Sequence, residues 1–559
     1  MTGTTAGGRT SDARRALHRR TRRVVPPAAL VLAVILVSTM VAVTARPDGA
    51  PSGVAVGERT QAPGATIDPG GGNPTGAAAQ RTGVGAVASA ANDPSAVGVA
   101  RSGVACTDGA RQVPWSRYAP TCTPAFDGDN GGATAPGVTR DRITLSYRTT
   151  NTAQQQALTA LVGDAIPSDQ SYLSDLEAYL DLFNANFELF GRRVVIEPFQ
   201  GQGDFLLENI GQGQEKAQAD AVTARQLGAF ADVTIPTAQS LFYSHALVDQ
   251  EVISWGFLYG PQSWYEELSP FQYSVLPSGS KLAAWWSNLA CQRMRGLPAI
   301  FAGDEAMHDD ERVFGLITLE TPTWLEVADE IEHRLARCGV ELARRVSYPL
   351  DIGAFQQNAA NIAAQMHQAG VTTVICFCDG LFTIFLTKAA SKQEYRPEWI
   401  PLNVHDAAPQ LADQSQFAHA ISNGPSFRPK DSSEAYAAFK LARPDTEPAA
   451  VYYELAYFQL LQVFAALQAA GPELTPGSFQ QGMFSLPPSL PGGDFGDWSF
   501  GPRAFTPTAS AGIVYWDPDR LSPNGKRGSW APCEDDVAFP FDRPDAWGPA
   551  GTQIRCFGR

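Results

Sequence analysis

Carboxylates, hydroxyls and cysteines carry what chemistry this chain offers. Ser278-Gly-Ser-Lys281 has the S-x-x-K spacing of an acylating serine, but no K-T-G follows, and the match is assigned to chance. His308-Asp-Asp-Glu311 reads as a solvated loop rather than a cation site. Asp517-Pro-Asp519 with Asn524-Gly525 fails the EF-hand spacing and reads as a turn. The seven His are scattered singly, and there is no H-E-x-x-H, G-x-S-x-G or Walker loop. No catalytic residue, metal ligand or cofactor is therefore expected, and the chain is not expected to be an enzyme. Recognition chemistry remains. Asp379 follows an apolar run and precedes Gly380. A carboxylate there either receives a ligand's ammonium or caps the helix that follows.

A repeating unit over Phe314–Cys378 must position Asp379. Phe314–Leu319 is a short apolar strand, and Thr323 with Glu326 has the spacing of a capping box. Trp324, Ala328, Ile331, Leu335 and Cys338 then recur at helical spacing as far as Gly339. Val340–Val346 is a second strand. Phe355, Ile362, Met366 and Ala369 mark a second helix that ends at Gly370, and Val371–Cys378 has the β-branched composition of a strand buried on both faces. The order βαβαβ implies an open doubly wound sheet, which binds ligands at the carboxyl ends of its strands. Those ends are Glu320–Trp324 and Asp379–Phe382.

At 559 residues the chain calls for two or three domains, and 44% hydrophobic residues is a soluble globular content. Formal charge is −15; residues 1–45 hold seven Arg and one acid, which leaves 35 basic and 56 acidic residues after Ala45, or −21. An acidic body argues against nucleic-acid binding, because phosphates demand a basic face. Residues 1–23 form a basic cytoplasmic tail, and 24–45 form an apolar signal or membrane-anchor helix that places the rest outside the cytoplasm. Residues 46–105 are rich in Gly, Ala and Pro and are expected to be a disordered linker. With export, disulfides are allowed. The expected pairs are Cys106–Cys122, stapling a lead-in over 106–137, Cys291–Cys338 between neighbouring helices, and Cys533–Cys556 in the tail. Cys376 and Cys378 share one side of a strand, a spacing that strains a direct bond, and are expected to be reduced or weakly linked.

A second set of alternating elements precedes the first. Gly137–Ser146 leads into a strand, Tyr172–Phe190 is a helix with Tyr172, Leu176, Tyr179, Leu180, Phe183 and Phe187 on one face, and Arg193–Glu197 is a strand. Gln214–Leu227, Ala229–Thr234, a helix opened by Thr237–Ser240, and Val252–Trp255 continue the pattern. Four stretches together resemble the type I periplasmic binding proteins, in their leucine/isoleucine/valine-binding branch. They are Gly137–Leu145, Phe183–Asn186 with Gly191–Glu197, Ala217–Leu227 before Ala229–Ala231, and Tyr452–Tyr457 through Gly471 with Leu474-Thr-Pro.

The resemblance covers about 137–515. It implies an α/β fold of two doubly wound parallel-sheet lobes joined by a three-stranded hinge. Lobe one would hold 138–275 and 407–485; lobe two would hold 276–406 and 486–559 with a C-terminal extension. The family's contact positions match Thr237, Ser240, Gly256, Phe257 and Tyr259 in lobe one, while Thr323, Trp324, Asp379 and Gly380 would close from lobe two. Thr237 and Ser240 equally suit helix caps, and Tyr259 and Trp324 equally suit packing. Residues 203–213 stand out as an insertion, and Thr321-Pro-Thr-Trp324 departs from the family's Tyr-Gly pair. The implied function is extracytoplasmic capture of a small polar ligand, amino-acid or amide-like, for an ABC permease. The alternative is a membrane-tethered ligand sensor with the same fold and no transport role.

Overall fold

Strands buried on both faces need helices above and below them, and this chain builds two such sheets. The computed structural model describes residues 97–557 apart from 163–167, 210, 235–237, 257–258, 403–405, 425–429, 451 and 523. The expected anchor over 24–45 lies outside the described residues, among which no helix is long and apolar enough to cross a membrane.

A short antiparallel pair, β1 (Gly98–Val99) and β2 (Ala105–Cys106), opens the described chain. The first parallel sheet contains β3 (Arg142–Thr149), β4 (Arg193–Gln200), β5 (Ala231–Asp232), β6 (Ile253–Gly256) and β7 (Gln272–Ser274), in the order β4-β3-β5-β6-β7. Its connections include helices α1 (Asp169–Asn186), α2 (Phe205–Asn209), α3 (Gln214–Gln226) and α4 (Leu241–Asp249). The α3/α4 face packs through small residues, Ala217, Ala221, Ala224 and Ala246, together with Leu247.

Helix α5 (Gly279–Asn288) enters the second lobe. Its parallel sheet runs β11-β10-β8-β9, with β8 (Phe314–Leu319), β9 (Leu342–Tyr348), β10 (Thr373–Phe377) and β11 (Glu398–Pro401), connected by α6 (Pro322–Arg337), α7 (Phe355–Gln368) and α8 (Gly380–Lys392). Alternation along β8 divides the core: Phe314 and Leu316 face one cluster, Ile317 and Leu319 the other. An antiparallel sheet of β12 (Ile421–Gly424), β13 (Ser510–Leu521), β14 (Arg527–Pro532) and β15 (Ala538–Pro540) adds the tail. Asp517–Asp519, expected as a turn, lie within β13.

The chain returns to the first lobe as α9 (Glu434–Ala442), α10 (Tyr453–Ala470) and α11 (Pro476–Phe484). Helix α10 covers the aromatic stripe of α1, with Tyr179–Tyr457 and Phe183–Phe464 ring centroids 5.2 and 5.4 Å apart. Two expected boundaries move. Residues 407–424 stay with the second lobe, because β12 pairs antiparallel with β13, Ile421 opposite Tyr515. Trp498, Phe500 and Phe505, expected in lobe two, pack in the first core, where Trp498 meets Tyr118 at 4.2 Å. The capping box is also corrected. Helix α6 begins at Pro322, whose fixed φ suits the first helical position, and its N-cap Thr321 makes no side-chain cap bond. Glu326 instead accepts from Ser263 Oγ of the first lobe at 2.6 Å.

Cys106–Cys122, Cys291–Cys338 and Cys533–Cys556 are bonded, with Cα separations of 5.3, 6.0 and 4.8 Å. Cys376 and Cys378, expected to be reduced or weakly linked, are bonded as well. β10 ends at Phe377, so Cys378 has left the extended strand on which that expectation rested. The two Cα atoms lie 5.0 Å apart, within reach of a disulfide. Non-reducing peptide mapping should therefore return four bridges and no free thiol. Replacing Cys533 and Cys556 together by Ser opens a loop of 23 residues and should cost about 2–4 kcal/mol, read as a lower denaturation midpoint.

Candidate functional site

At the carboxyl edge of the first sheet, charged groups are buried side by side. Arg148, next to last in β3, is 1% exposed, while Glu208, Asp220 and Asp232 are 0–1% exposed. The Arg148 guanidinium donates to Glu208 Oε1 at 2.7 Å, approaches Asp220 Oδ2 at 3.5 Å, and lies over the Tyr243 ring at 4.2 Å. Asp220 also receives the Gln202 and Gly203 amides at 2.9 Å. Breaking such a buried pair from one side costs about 3–5 kcal/mol, so this cluster clamps the loop after β4 onto the sheet. Asp232 ends β5 and accepts from Ser146 Oγ at 2.6 Å and Tyr243 Oη at 3.0 Å. Burial pushes its carboxyl above the ordinary range, although these hydrogen bonds and that of Thr234 pull the other way.

Ser240, expected as a ligand donor or a helix cap, N-caps α4. Its Oγ accepts from the Tyr243 amide at 3.0 Å and donates to Glu208. Gly256 ends β6 against the Gln239 amide, and a Cβ there would lie 1.6 Å from Gln239 Nε2, so close packing requires the glycine. Thr237 and Phe257 lie outside the described residues.

Between the lobes lies a cleft of about 760 Å³. The first lobe contributes Gln214, Phe242, His245 and Trp264 to its wall, the second Glu320, Thr321 and Thr323. Of the expected site residues, Thr323 lines it. Tyr259 and Trp324 meet across the lobes, edge to face with centroids 6.4 Å apart, while Trp324 also stacks on Phe377 at 4.2 Å. Gly380 lines a separate cavity of about 50 Å³, shared with Thr383, Pro401 and, from the first lobe, Tyr452.

Asp379 is the N-cap of α8. Its Oδ1 accepts from the Leu381 and Phe382 amides at 2.9 Å, and its Oδ2 from Tyr348 Oη at 2.6 Å. Burial raises its carboxyl pKa against the pull of these bonds. Arg148, Glu208 and Asp220 were missed by sequence reasoning. One signal was available: Asp220 shares the small apolar face of Ala217, Ala221 and Ala224 in α3, where an unpaired acid would be costly.

Two expectations follow. Asp379→Ala should destabilise the fold by about 0.5–2 kcal/mol through loss of the cap, visible in a denaturant melt without ligand. Glu454, in the first turn of α10, is pushed up to about 7, chiefly by burial, with Asp406 and Asp494 adding repulsion while Tyr453 and Lys430 oppose it. A raised carboxyl stabilises the fold fully below its unfolded value of 4.5 and loses that contribution as pH rises through about 7. Melting temperatures of the wild type should fall relative to Glu454→Gln across that window, and parallel curves would refute the assignment.

Residues 299–520 match the family model described as periplasmic binding protein. An ABC transporter substrate-binding protein of Aeropyrum pernix shares 14% identity at a TM-score of 0.51, covering 73% of this chain and 98% of that one. A periplasmic binding protein of Burkholderia mallei shares 11% at 0.52, covering 75% and 99%. A solute-binding protein of an ABC transporter from R. palustris, solved with 4-hydroxybenzoate, shares 13% at 0.50, covering 72% and 97%. Identities this low establish likeness of fold. No curated protein matches the sequence. Over residues 299–520 the chain is thus similar to a periplasmic binding protein family model, and its mixed α/β architecture of parallel sheets is a fold it shares with these solved structures.

Proposed function

We propose that this protein is an extracytoplasmic solute-binding protein that captures a small polar ligand between two lobes and presents it to an ABC permease. The cleft of about 760 Å³ between the carboxyl ends of the two sheets carries this reading, since residues of both lobes line it. Doubly wound sheets bind ligands at that edge, and the ligand-bound R. palustris structure supports the same use of the fold.

Closure needs a hinge, and in this reading two passages between the cores of the lobes, Val275–Ser278 and Thr506–Ser510, contribute to it. Lys281 ties one to the other, its Nζ donating to the carbonyls of Thr506 and Thr508 at 2.5 and 2.8 Å. Ser278, its partner in the S-x-x-K match, accepts from the Lys281 amide as the cap of α5. That pair serves the hinge. In this reading Thr323 touches ligand, Tyr259 against Trp324 senses closure, and Asp379 orients α8. The tethered-sensor alternative rests on the apolar run Val24–Ala45, and mass spectrometry of the mature N-terminus separates the two.

Calorimetry and thermal-shift screening with amino acids, amides, short peptides, sugars and carboxylates should find a saturable binder that compacts the protein in small-angle scattering. Trp324→Ala should keep binding but compact less, because the aromatic contact between the lobes is gone. A screen with no saturable binder would sink the proposal.

A further inference from the structure

Glu208 comes from α2, in the segment 203–213 that stands out in the sequence as an insertion. Its carboxylate sits between two donors at the carboxyl edge of the first sheet. Oε1 accepts from Arg148, and Oε2 accepts from Ser240 Oγ at the start of α4. A charged fork on one side and a helix start with a hydroxyl on the other is the donor set that holds a free carboxylate. Space is reserved for the chain's own acid: a Cβ on Gly203 would stand 2.0 Å from Glu208 Oε1.

We propose that Glu208 is a built-in occupant of the first lobe's anion-holding position, so that the cleft takes uncharged or cationic solutes and excludes those that would seat a carboxylate at Ser240. This deepens, and rests on, the solute-binding reading. Charge supports it on both sides of the cluster. Arg148 already faces Glu208 and Asp220, both buried, so a third anion would share one guanidinium in a desolvated place. Within this cluster only Arg148 Nη1 lacks a hydrogen-bond partner, too little to hold a carboxylate. Among the described residues no Lys or Arg lines the cleft itself, whereas Asp249 and Glu320 do. An anion entering there meets these acids, and the one basic side chain in the wall, His245, already lies 3.5 Å from Asp249; a cation or a neutral amide meets acids, side-chain amides and the aromatic side chains of Phe242 and Trp264.

The test uses formate and acetate, which reproduce the missing group, on Glu208→Ala in the full chain. Either salt should raise the melting temperature of this variant saturably over chloride at equal ionic strength. It should leave the wild type unmoved, and the response should fall in Glu208→Ala with Ser240→Ala. In the wild-type ligand screen, amides or amines should bind at least tenfold more tightly than the matching carboxylates. A folded Glu208→Ala blind to both salts overturns the proposal. So does a wild-type carboxylate ligand whose affinity falls in Ser240→Ala. Should Glu208→Ala fold only in formate, the proposal stands; should it yield no folded protein in formate or chloride, the proposal fails. A wild type that binds nothing in the screen defeats the solute-binding reading, while the salt response of the variant still reports on Glu208.

Discussion

A parallel sheet has to be covered on both faces, and that constraint shapes everything else in this molecule. Each strand must be followed by a crossover before the next can pair, so all strands of a sheet end on the same edge. In the first lobe that edge collects Arg148, Asp232 and Gly256, the last or next-to-last residues of β3, β5 and β6. In the second it collects the start of α6 and the Asp379 cap of α8. Two edges facing one another make the cleft.

Charge is handled differently in the two lobes. The second buries a closed pair, Arg312 with Glu398, joined by two hydrogen bonds of 2.7 and 2.9 Å and completed by Thr373 Oγ1 and the Phe301 amide. Every lone pair there is directed at structure. The first lobe gathers more acid than base around Arg148, and it does so with a segment laid over the sheet edge rather than with the sheet alone. The two lobes thus share an architecture without sharing the chemistry of their edges.

Much of the framework is legible in the sequence because its signals are local. The apolar run Phe314–Leu319, the periodic face of α6 and the glycines Gly339 and Gly370, both with positive φ, report strands, helices and their ends from a few neighbouring residues. What was misread depends on partners far along the chain. Thr323 and Glu326 match a capping box in spacing, yet Pro322 sets the helix start and Glu326 answers to Ser263. β12 declares its lobe only by pairing with β13, and no local pattern in Ile421–Gly424 announces that. Arg148 and Glu208 stand 60 residues apart, so their union is tertiary. For Asp379 the sequence left ligand contact and helix cap both open, and the structure commits its carboxylate to the cap.

The order of the segments has a consequence for how the chain becomes itself. The second parallel sheet is drawn from one continuous stretch, β8 to β11, and each strand can pair soon after it is made. The first sheet cannot complete its cover in this way, because Tyr172 reaches its partner Gln459 across 287 residues, and Tyr179 rests on Phe439 and Tyr457. During synthesis the aromatic stripe of α1 has to wait, uncovered, until α9 and α10 emerge. Contacts so distant in sequence form late and slowly. The lobe that begins first therefore stays open until Ala470 has been made, by which point the parallel sheet of the second lobe is already complete and only its antiparallel tail is outstanding.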